Sequence, residues 1–324
     1  MSKISIIIPV YYNEDTLFLC YQDLVEKVLG QVGEYELILV DDGSKDGSWN
    51  VMQEISKLDA NVKLVKLSRN FGSHAACLAG LSVATGDCAT IKAADLQEDS
   101  TLILEMYESW KKGNQVVLAV RTDREESFSQ KLFANIYYWL IRKFALNSMP
   151  KGGFDCYLID RKVIEVLKML EEKNSAVTLQ ILWAGFQSDI VYYVRKAREI
   201  GKSRWTLAKK IKLVIDSLVS FSFVPIRFMT VTGGMFFLGS LIWGIVLIIT
   251  RLLGGIAVEG WTTLMIMQLF SSGLIMFTLG ILGEYIWRGM DAARNRPVYV
   301  VDTILQSENI QKELEVNTNE DKNV

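Results

Sequence analysis

Apolar and polar positions follow two rhythms along the first two-thirds of the chain. Short apolar runs at residues 4–10, 36–40 and 62–67 are separated by stretches at 16–29 and 48–58 whose apolar residues recur at helical spacing, and further runs follow at 88–92 and 115–120. Strands alternating with helices predict an α/β domain with a mostly parallel sheet. In such sheets a ligand sits beyond the carboxyl ends of the strands. The polar residues that directly follow the runs therefore carry the most weight: Tyr11 to Asp15, Asp41 to Asp46, Ser68 to Ser73 and Asp95 to Asp99.

The last third changes rhythm. Residues 228–250 and 260–283 are uncharged stretches of 23 and 24 residues, each longer than the roughly 20 needed to cross a hydrocarbon core of about 30 Å. Buried helices of a soluble protein would need a core able to surround both, and globular helices average only about 11–12 residues. Two transmembrane helices are predicted. Lys202, Arg204, Lys209, Lys210, Lys212 and Arg227 precede the first, Arg288, Arg294 and Arg296 follow the second, and Arg251 alone lies between them. That bias puts both termini in the cytoplasm.

Within 205–223, Leu207, Ile211, Val214, Ile215 and Leu218 share one helical stripe, with Lys209, Lys210 and Lys212 off it. This is the pattern of a helix lying along an anionic leaflet; an ordinary amphipathic helix on the soluble domain is the alternative. The expected organisation is a globular domain over 1–204, an interfacial-helix region over 205–227, a two-span region over 228–287 and a cytoplasmic tail over 288–324. The tail's polar end after Leu305 has the composition of a disordered segment. Gly233, Gly234 and Gly239 in the first span allow close helix packing, as in a homo-oligomer.

Composition narrows the function classes. The chain is 50% hydrophobic, with the excess concentrated in the two spans. A net charge of -2 argues against a nucleic-acid partner, which calls for a clustered basic surface. Cys20, Cys77, Cys88 and Cys156 show no C-x-x-C spacing and read as small buried residues rather than zinc ligands or a disulfide framework. The apolar run near the N-terminus is too short for a secretion signal. His74 is the one histidine; with no second His or Cys at ligand spacing it reads as helix-start packing or loop hydrogen bonding, not catalysis.

No G-x-G-x-x-G follows the first run, and no G-x-x-x-x-G-K-[ST] occurs, so dinucleotide and P-loop readings lose their main support. What remains is a set of strand-end carboxylates suited to gripping ribose hydroxyls and, through a divalent metal, a diphosphate. Mg²⁺ prefers hard oxygen ligands and commonly combines one or two carboxylates with substrate phosphates. A nucleoside diphosphate is the ligand that fits.

The stretches IIIPVYYNED, ILVDDGSKDGS, LSRNFGSHAACLAGL, ADLQED, GGFDCYLIDR, GKSRW, SFSFVPIR and GEYIWR, in that order from Ser5 to about Val301, resemble the inverting nucleotide-sugar transferases of the GT-A fold. The resemblance is to the polyprenyl-phosphate glycosyltransferases in particular. It implies that Pro9, Tyr11, Glu14, Asp41 and Asp42 hold the base and ribose, as in the family's P-V-Y-N-E and D-D-G-S motifs. An additional tyrosine leaves open whether Tyr11 or Tyr12 faces the base. For Asp41 to Ser44 an ordinary strand-to-helix turn with an N-cap is the other reading.

The family's metal motif reads D-A-D-L-Q, and the matching stretch here is Ala93-Ala94-Asp95-Leu96-Gln97, so the first carboxylate is missing. Asp95, with Gln97 and the diphosphate itself, would carry Mg²⁺ or Mn²⁺, and Ala94 and Asp95 would border the donor. Asp155 matches the aspartate of the family's G-D-F-R-L stretch and, with Asp95, is the catalytic candidate: it would take the acceptor's proton or position the acceptor. Tyr157 replaces that motif's arginine, and Asp160 with Arg161 reads as a surface ion pair. Arg121, Arg198 and Arg204 match positions that meet phosphates, a task suited to the planar guanidinium; a solvated charge is the alternative for each.

The resemblance thus implies inverting transfer of one sugar from a nucleotide-sugar, a UDP-linked hexose or N-acetylhexosamine, to undecaprenyl phosphate. The site would be the cytoplasmic face of a bacterial inner membrane, and the product would serve cell-envelope glycan modification. Two alternatives remain at this stage. A processive polysaccharide synthase is partly echoed by GKSRW, although Gly201 stands in place of that class's Gln and two spans are few for a polymer channel. A non-catalytic nucleotide-sugar-binding membrane protein is supported by Ala93 alone.

Overall fold

In the computed structural model of the chain, β1 (Lys3–Val10), β2 (Glu34–Asp41), β3 (Val62–Leu67) and β4 (Cys88–Ile91) pair in parallel. The structure describes residues 2–124, 128–170, 172–173, 175–195, 207–253 and 260–306. β5 (Val116–Arg124) is parallel to β7 (Ser188–Arg195), while β6 (Phe154–Asp160) runs antiparallel to both β4 and β5. With β8 (Val301–Gln306) antiparallel to β3, the sheet order is β7-β5-β6-β4-β1-β2-β3-β8. The mostly parallel α/β sheet is as expected.

β1 is an almost unbroken apolar run because both its faces are covered, as is usual for parallel strands. Ile4, Ile6, Ile8 and Val10 pack in a core with Leu17 of α1 (Glu14–Leu24), Met52 of α2 (Ser48–Leu58) and Met106 of α4 (Thr101–Lys111). On the opposite face α3 (Ser73–Val83) lies so close that a Cβ at Gly80 would sit 2.3 Å from Ile7 Cγ2. The bare backbone of Gly80 is what permits that approach. Pro9 falls beyond the last β1–β4 pair, Ile7 with Ile91, where its missing N–H removes no ladder bond. The helix expected over 16–29 starts earlier and ends in a π-helical turn, Val25–Leu29.

α5 (Phe128–Phe144), α6 (Arg161–Met169) and α7 (Val177–Trp183) complete the globular unit. Asp160 and Arg161 do not act as the expected surface pair. Asp160 caps α6 through the Lys162 N–H at 3.0 Å and accepts Trp110 Nε1 at 2.9 Å, whereas Arg161 reaches Ala84 O and Glu165. A residue that ends a strand and starts a helix is drawn to the orphan amides of the helix. α8 (Leu207–Phe221) is helical as expected. Its Ile211, Val214 and Ile215 share an apolar cavity of about 200 Å³ with Phe133 and Tyr137 of α5, and Tyr137 Oη lies 3.0 Å from Ser217 Oγ. Of the predicted stripe, Ile211 and Ile215 remain 48% and 46% exposed.

The chain divides into two units, one of Met1–Ser217 with Pro297–Val324 and one of Leu218–Arg296. The second contains α9 (Val224–Leu252) and α10 (Trp261–Ala293), both long and apolar enough to cross a membrane. Only 6% and 0% of their most apolar windows are buried, the reverse of core helices. Phe236 and Phe270 meet at 5.2 Å between them, and Tyr285 Oη donates to Ser222 O at 3.3 Å. The expectation of a plain tail from residue 288 needs correction. α10 continues to Ala293, and Val301–Gln306 returns to the sheet as β8, pairing Ile304 with Val65 and Leu305 with Leu64. The polar stretch 307–324 lies outside the described residues.

A buried carboxylate fastens β2 to its surroundings. Glu36 accepts Ser5 Oγ at 2.6 Å, Thr85 Oγ1 at 2.9 Å and Gly86 N at 3.1 Å, with Lys63 Nζ 3.6 Å away. Burial by itself raises its pKa, but the bonds from Ser5 and Thr85 and the charge of Lys63 outweigh that and bring it from 4.5 down to about 2. A depressed folded-state pKa gives stability that is complete above about 4.5 and is lost as pH falls toward about 2. Glu36→Gln is expected to cost on the order of 3 kcal/mol at neutral pH, with the difference from wild type shrinking across that acid window. Thermal unfolding of detergent-solubilised protein followed by circular dichroism at stepped pH checks this; a pH-independent difference refutes it.

Candidate active site

The carboxyl ends of β1, β2, β4, β5 and β7 share one edge of the sheet, and the reversed β6 brings its start to the same edge. Two groups of polar residues collect there.

The first is built on the loops after β1 and β2. Asp41 is fully buried; one carboxylate oxygen accepts Ser44 N at 2.9 Å, and Oδ2 has no hydrogen-bond partner among the described residues. A buried, unpaired carboxylate oxygen at a strand end is what a ribose hydroxyl would complete. Asp42, also buried, accepts Phe71 N at 2.7 Å and Gly72 N at 3.0 Å and so fastens the loop after β3. Burial raises its pKa, and the two amides partly oppose the shift. Glu14 accepts Gly47 N at 2.8 Å, closing the loop before α2. Tyr12 takes a positive φ of 58° and donates its N–H to Ser44 Oγ at 3.1 Å, while Tyr11 is the more exposed of two rings in edge contact at 4.7 Å. The plain-turn reading of Asp41 to Ser44 explains the Ser44 contact but not the vacant Oδ2.

The second group is ionic. Arg121 Nη2 contacts Asp155 Oδ2, and Arg121 Nε donates to Tyr193 Oη at 3.2 Å, which in turn donates to Asp155 Oδ1 at 3.3 Å. Arg195 Nη1 lies 3.5 Å from Asp155 Oδ2, and its Nη2 lies 2.5 Å from Gln97 Oε1 and 3.8 Å from Asp95 Oδ2. Asp155 is 41% exposed, whereas the Arg121 side chain is 8% exposed. The carboxylate is thus reachable while its holder is fixed. Burial raises the Tyr193 phenol's pKa, keeping it a donor.

The predicted residues are thereby sorted. Asp95, Gln97, Arg121 and Asp155 come together, Asp41, Asp42 and Glu14 shape the neighbouring loops, and the Ala94 methyl lies in the core, leaving only its main chain for a ligand. Arg198 and Arg204 lie outside the described residues. Sequence reasoning missed Arg195, Tyr193 and Glu98. Arg195 ends a strand as Arg121 nearly does, which was its one visible signal. Glu98 is buried beside Asp155 and Cys156, with ligand atoms within 4.8 Å of one another, and its Oε2 has no hydrogen-bond partner among the described residues. Burial and the Glu98 charge push the Cys156 thiol well up, so it stays protonated and is a poor ligand for a hard cation. His74 lies at the start of α3, and burial lowers its pKa.

Residues 5–167 match glycosyl transferase family 2. YkcC of Bacillus subtilis (strain 168), described as an uncharacterized glycosyltransferase, is 38% identical over 307 residues, 94% of this chain and 95% of that protein. A SfII prophage-derived bactoprenol glucosyl transferase of Shigella flexneri is 32% identical over 300 residues, 92% of this chain and 97% of that protein. Among solved structures, the mannosyltransferase PcManGT from Pyrobaculum calidifontis, in complex with GDP-Man and Mn²⁺, aligns with a TM-score of 0.49 and 15% identity over 68% of this chain and 64% of that one. The chain belongs to glycosyl transferase family 2, and it is an enzyme of that class.

The loop after β2 sets a testable limit. Gly43 has φ +71°, and a Cβ there would lie 2.6 Å from the backbone of Arg69 and Asn70. Gly43→Ala is expected to cost about 1–3 kcal/mol through strain at this position and to lower the thermal midpoint accordingly; an unchanged midpoint refutes the close approach.

Proposed function

We propose that the chain transfers one sugar from a UDP-linked hexose or N-acetylhexosamine to undecaprenyl phosphate at the cytoplasmic face of the bacterial inner membrane, serving cell-envelope glycan modification. The observation that carries this reading is the exposed Asp155 carboxylate held between two arginines, in a chain that also has two membrane-length helices. Relatives named as bactoprenol glucosyl transferases support the lipid acceptor.

In the proposed reaction an acceptor phosphate oxygen forms a bond to the anomeric carbon as the bond to the donor's diphosphate breaks and the nucleoside diphosphate leaves. Inversion follows from a single displacement. A phosphate monoester, with a second pKa near 6, is largely ionised already, so Asp155 acts mainly by orienting it. Arg121 is suited to hold both Asp155 and the acceptor phosphate, because its planar fork serves two oxygens at once. The vacant Asp41 Oδ2 supports ribose binding.

The fit of Mg²⁺ or Mn²⁺ can be judged on Asp95 and Gln97. Their side-chain oxygens both face the Arg195 guanidinium, so this spot already accommodates positive charge. One carboxylate and one amide oxygen are few, yet sufficient where substrate phosphates supply further ligands. Asp95 and Gln97 would hold the ion, whose chemistry is to neutralise charge on the departing diphosphate. The cytoplasmic position of both termini rests on the Lys and Arg bias around the spans.

Asp95→Ala and Asp155→Ala are each expected to lower transfer at least about 100-fold while the protein stays folded. A radiolabelled-sugar assay with purified protein, Mg²⁺ or Mn²⁺ and undecaprenyl phosphate reads this. Full activity in either variant removes that residue from the mechanism, and a polymer or no product in place of a lipid-linked sugar overturns the proposed activity. A tag inserted near Gly255 is expected to be reachable from outside intact cells; a protected tag reverses the topology.

A further inference from the structure

Arg195 is the last residue of β7, and its side chain is only 20% exposed. The guanidinium spans three acceptors, Gln97 Oε1, Asp95 Oδ2 and Asp155 Oδ2, at 2.5, 3.8 and 3.5 Å. Its Nε is buried and has no hydrogen-bond partner among the described residues. A buried donor without an acceptor is costly, and a guanidinium with one edge of its fork unmatched is suited to an oxyanion.

Charge makes the same point. Asp95 and Asp155 cancel Arg121 and Arg195, and buried Lys92 lies in the same region as buried Glu98, its Nζ donating to Glu98 O at 2.8 Å. A nucleoside diphosphate entering this cluster adds negative charge that these six side chains do not balance, unless an arginine turns from its carboxylates or a cation arrives. Ala93 contributes no carboxylate to strengthen the hold on such a cation. Arg195 already bonds the oxygens that the ion would use.

We infer that Arg195 is a diphosphate-binding residue: its guanidinium supplies positive charge to the leaving diphosphate directly, so that nucleoside diphosphate binds without a metal ion, and a divalent ion competes with Arg195 for Asp95 and Gln97. This rests on the donor-site reading above.

Isothermal titration calorimetry of UDP into purified full-length protein, in EDTA and in Mg²⁺, tests it. Wild type is expected to bind UDP in EDTA within about tenfold of its affinity in Mg²⁺, and Arg195→Gln to lose about tenfold or more in EDTA but less in Mg²⁺. Arg195→Lys, which keeps the charge without the fork, is expected to recover part of the metal-free binding. Mn²⁺ titrated without nucleotide and followed by electron paramagnetic resonance is expected to bind Arg195→Gln more tightly than wild type, because a competitor has been removed. Wild-type binding that requires Mg²⁺, an equal loss in both buffers, or unchanged Mn²⁺ affinity overturns the inference while leaving the donor site standing. Absence of UDP binding by wild type in both buffers overturns the donor-site reading itself.

Discussion

β6 runs against both of its neighbours, β4 and β5. Because of that reversal, the first residues of β6 lie beside the last residues of β5 and the loop that follows β4. Asp155, second in β6, therefore meets Arg121 of β5, and through Arg195 of β7 it is linked to Asp95 and Gln97. Had β6 been parallel, Asp155 would sit at the opposite edge of the sheet, with a strand length between it and the donor loops. The ionic cluster is a consequence of strand direction before it is a matter of residue type.

Carboxylates at this edge divide into those that build and those that remain available. Asp42 and Glu14 spend their oxygens on loop amides, which gives the loops after β2 and β3 a defined shape without secondary structure of their own. Asp41 keeps one buried oxygen unpaired, and Asp155 keeps much of its carboxylate in solvent. Glu36, away from this edge, is wholly structural, and its depressed pKa reflects how completely its neighbours satisfy it. Burial alone does not separate the two roles, since Asp41 and Asp42 are both buried.

The return of the chain as β8 matters for how the two units relate in sequence. After α10 the backbone comes back to pair with β3 along residues 301–306, so the globular unit is assembled from segments on both sides of α9 and α10. The globular unit therefore completes its sheet with residues that follow α10, and β3 is covered on its outer side instead of lying at an open edge.

Much of this was readable from the chain alone. The run at 62–67 is β3 and the pattern at 48–58 is α2, residue for residue, because periods of 2 and 3.6 are local properties of neighbouring side chains. The uncharged stretches likewise report helices of membrane length directly, strand-end acids such as Asp41 and Asp95 stood out by position, and Asp155 stood out only by its resemblance to a family stretch. Arg195 and Tyr193 did not, since they join Gln97 and Asp155 across 98 and 38 residues, and β8 gave no sign of its pairing with β3. Sequence by itself determined the first five strands, the helices between the earliest of them and the two helices of membrane length, and which acids follow those strands. Only the tertiary structure decided which acids are spent on loops and which arginines they face, because strand direction and long-range pairing bring together residues that no local pattern relates.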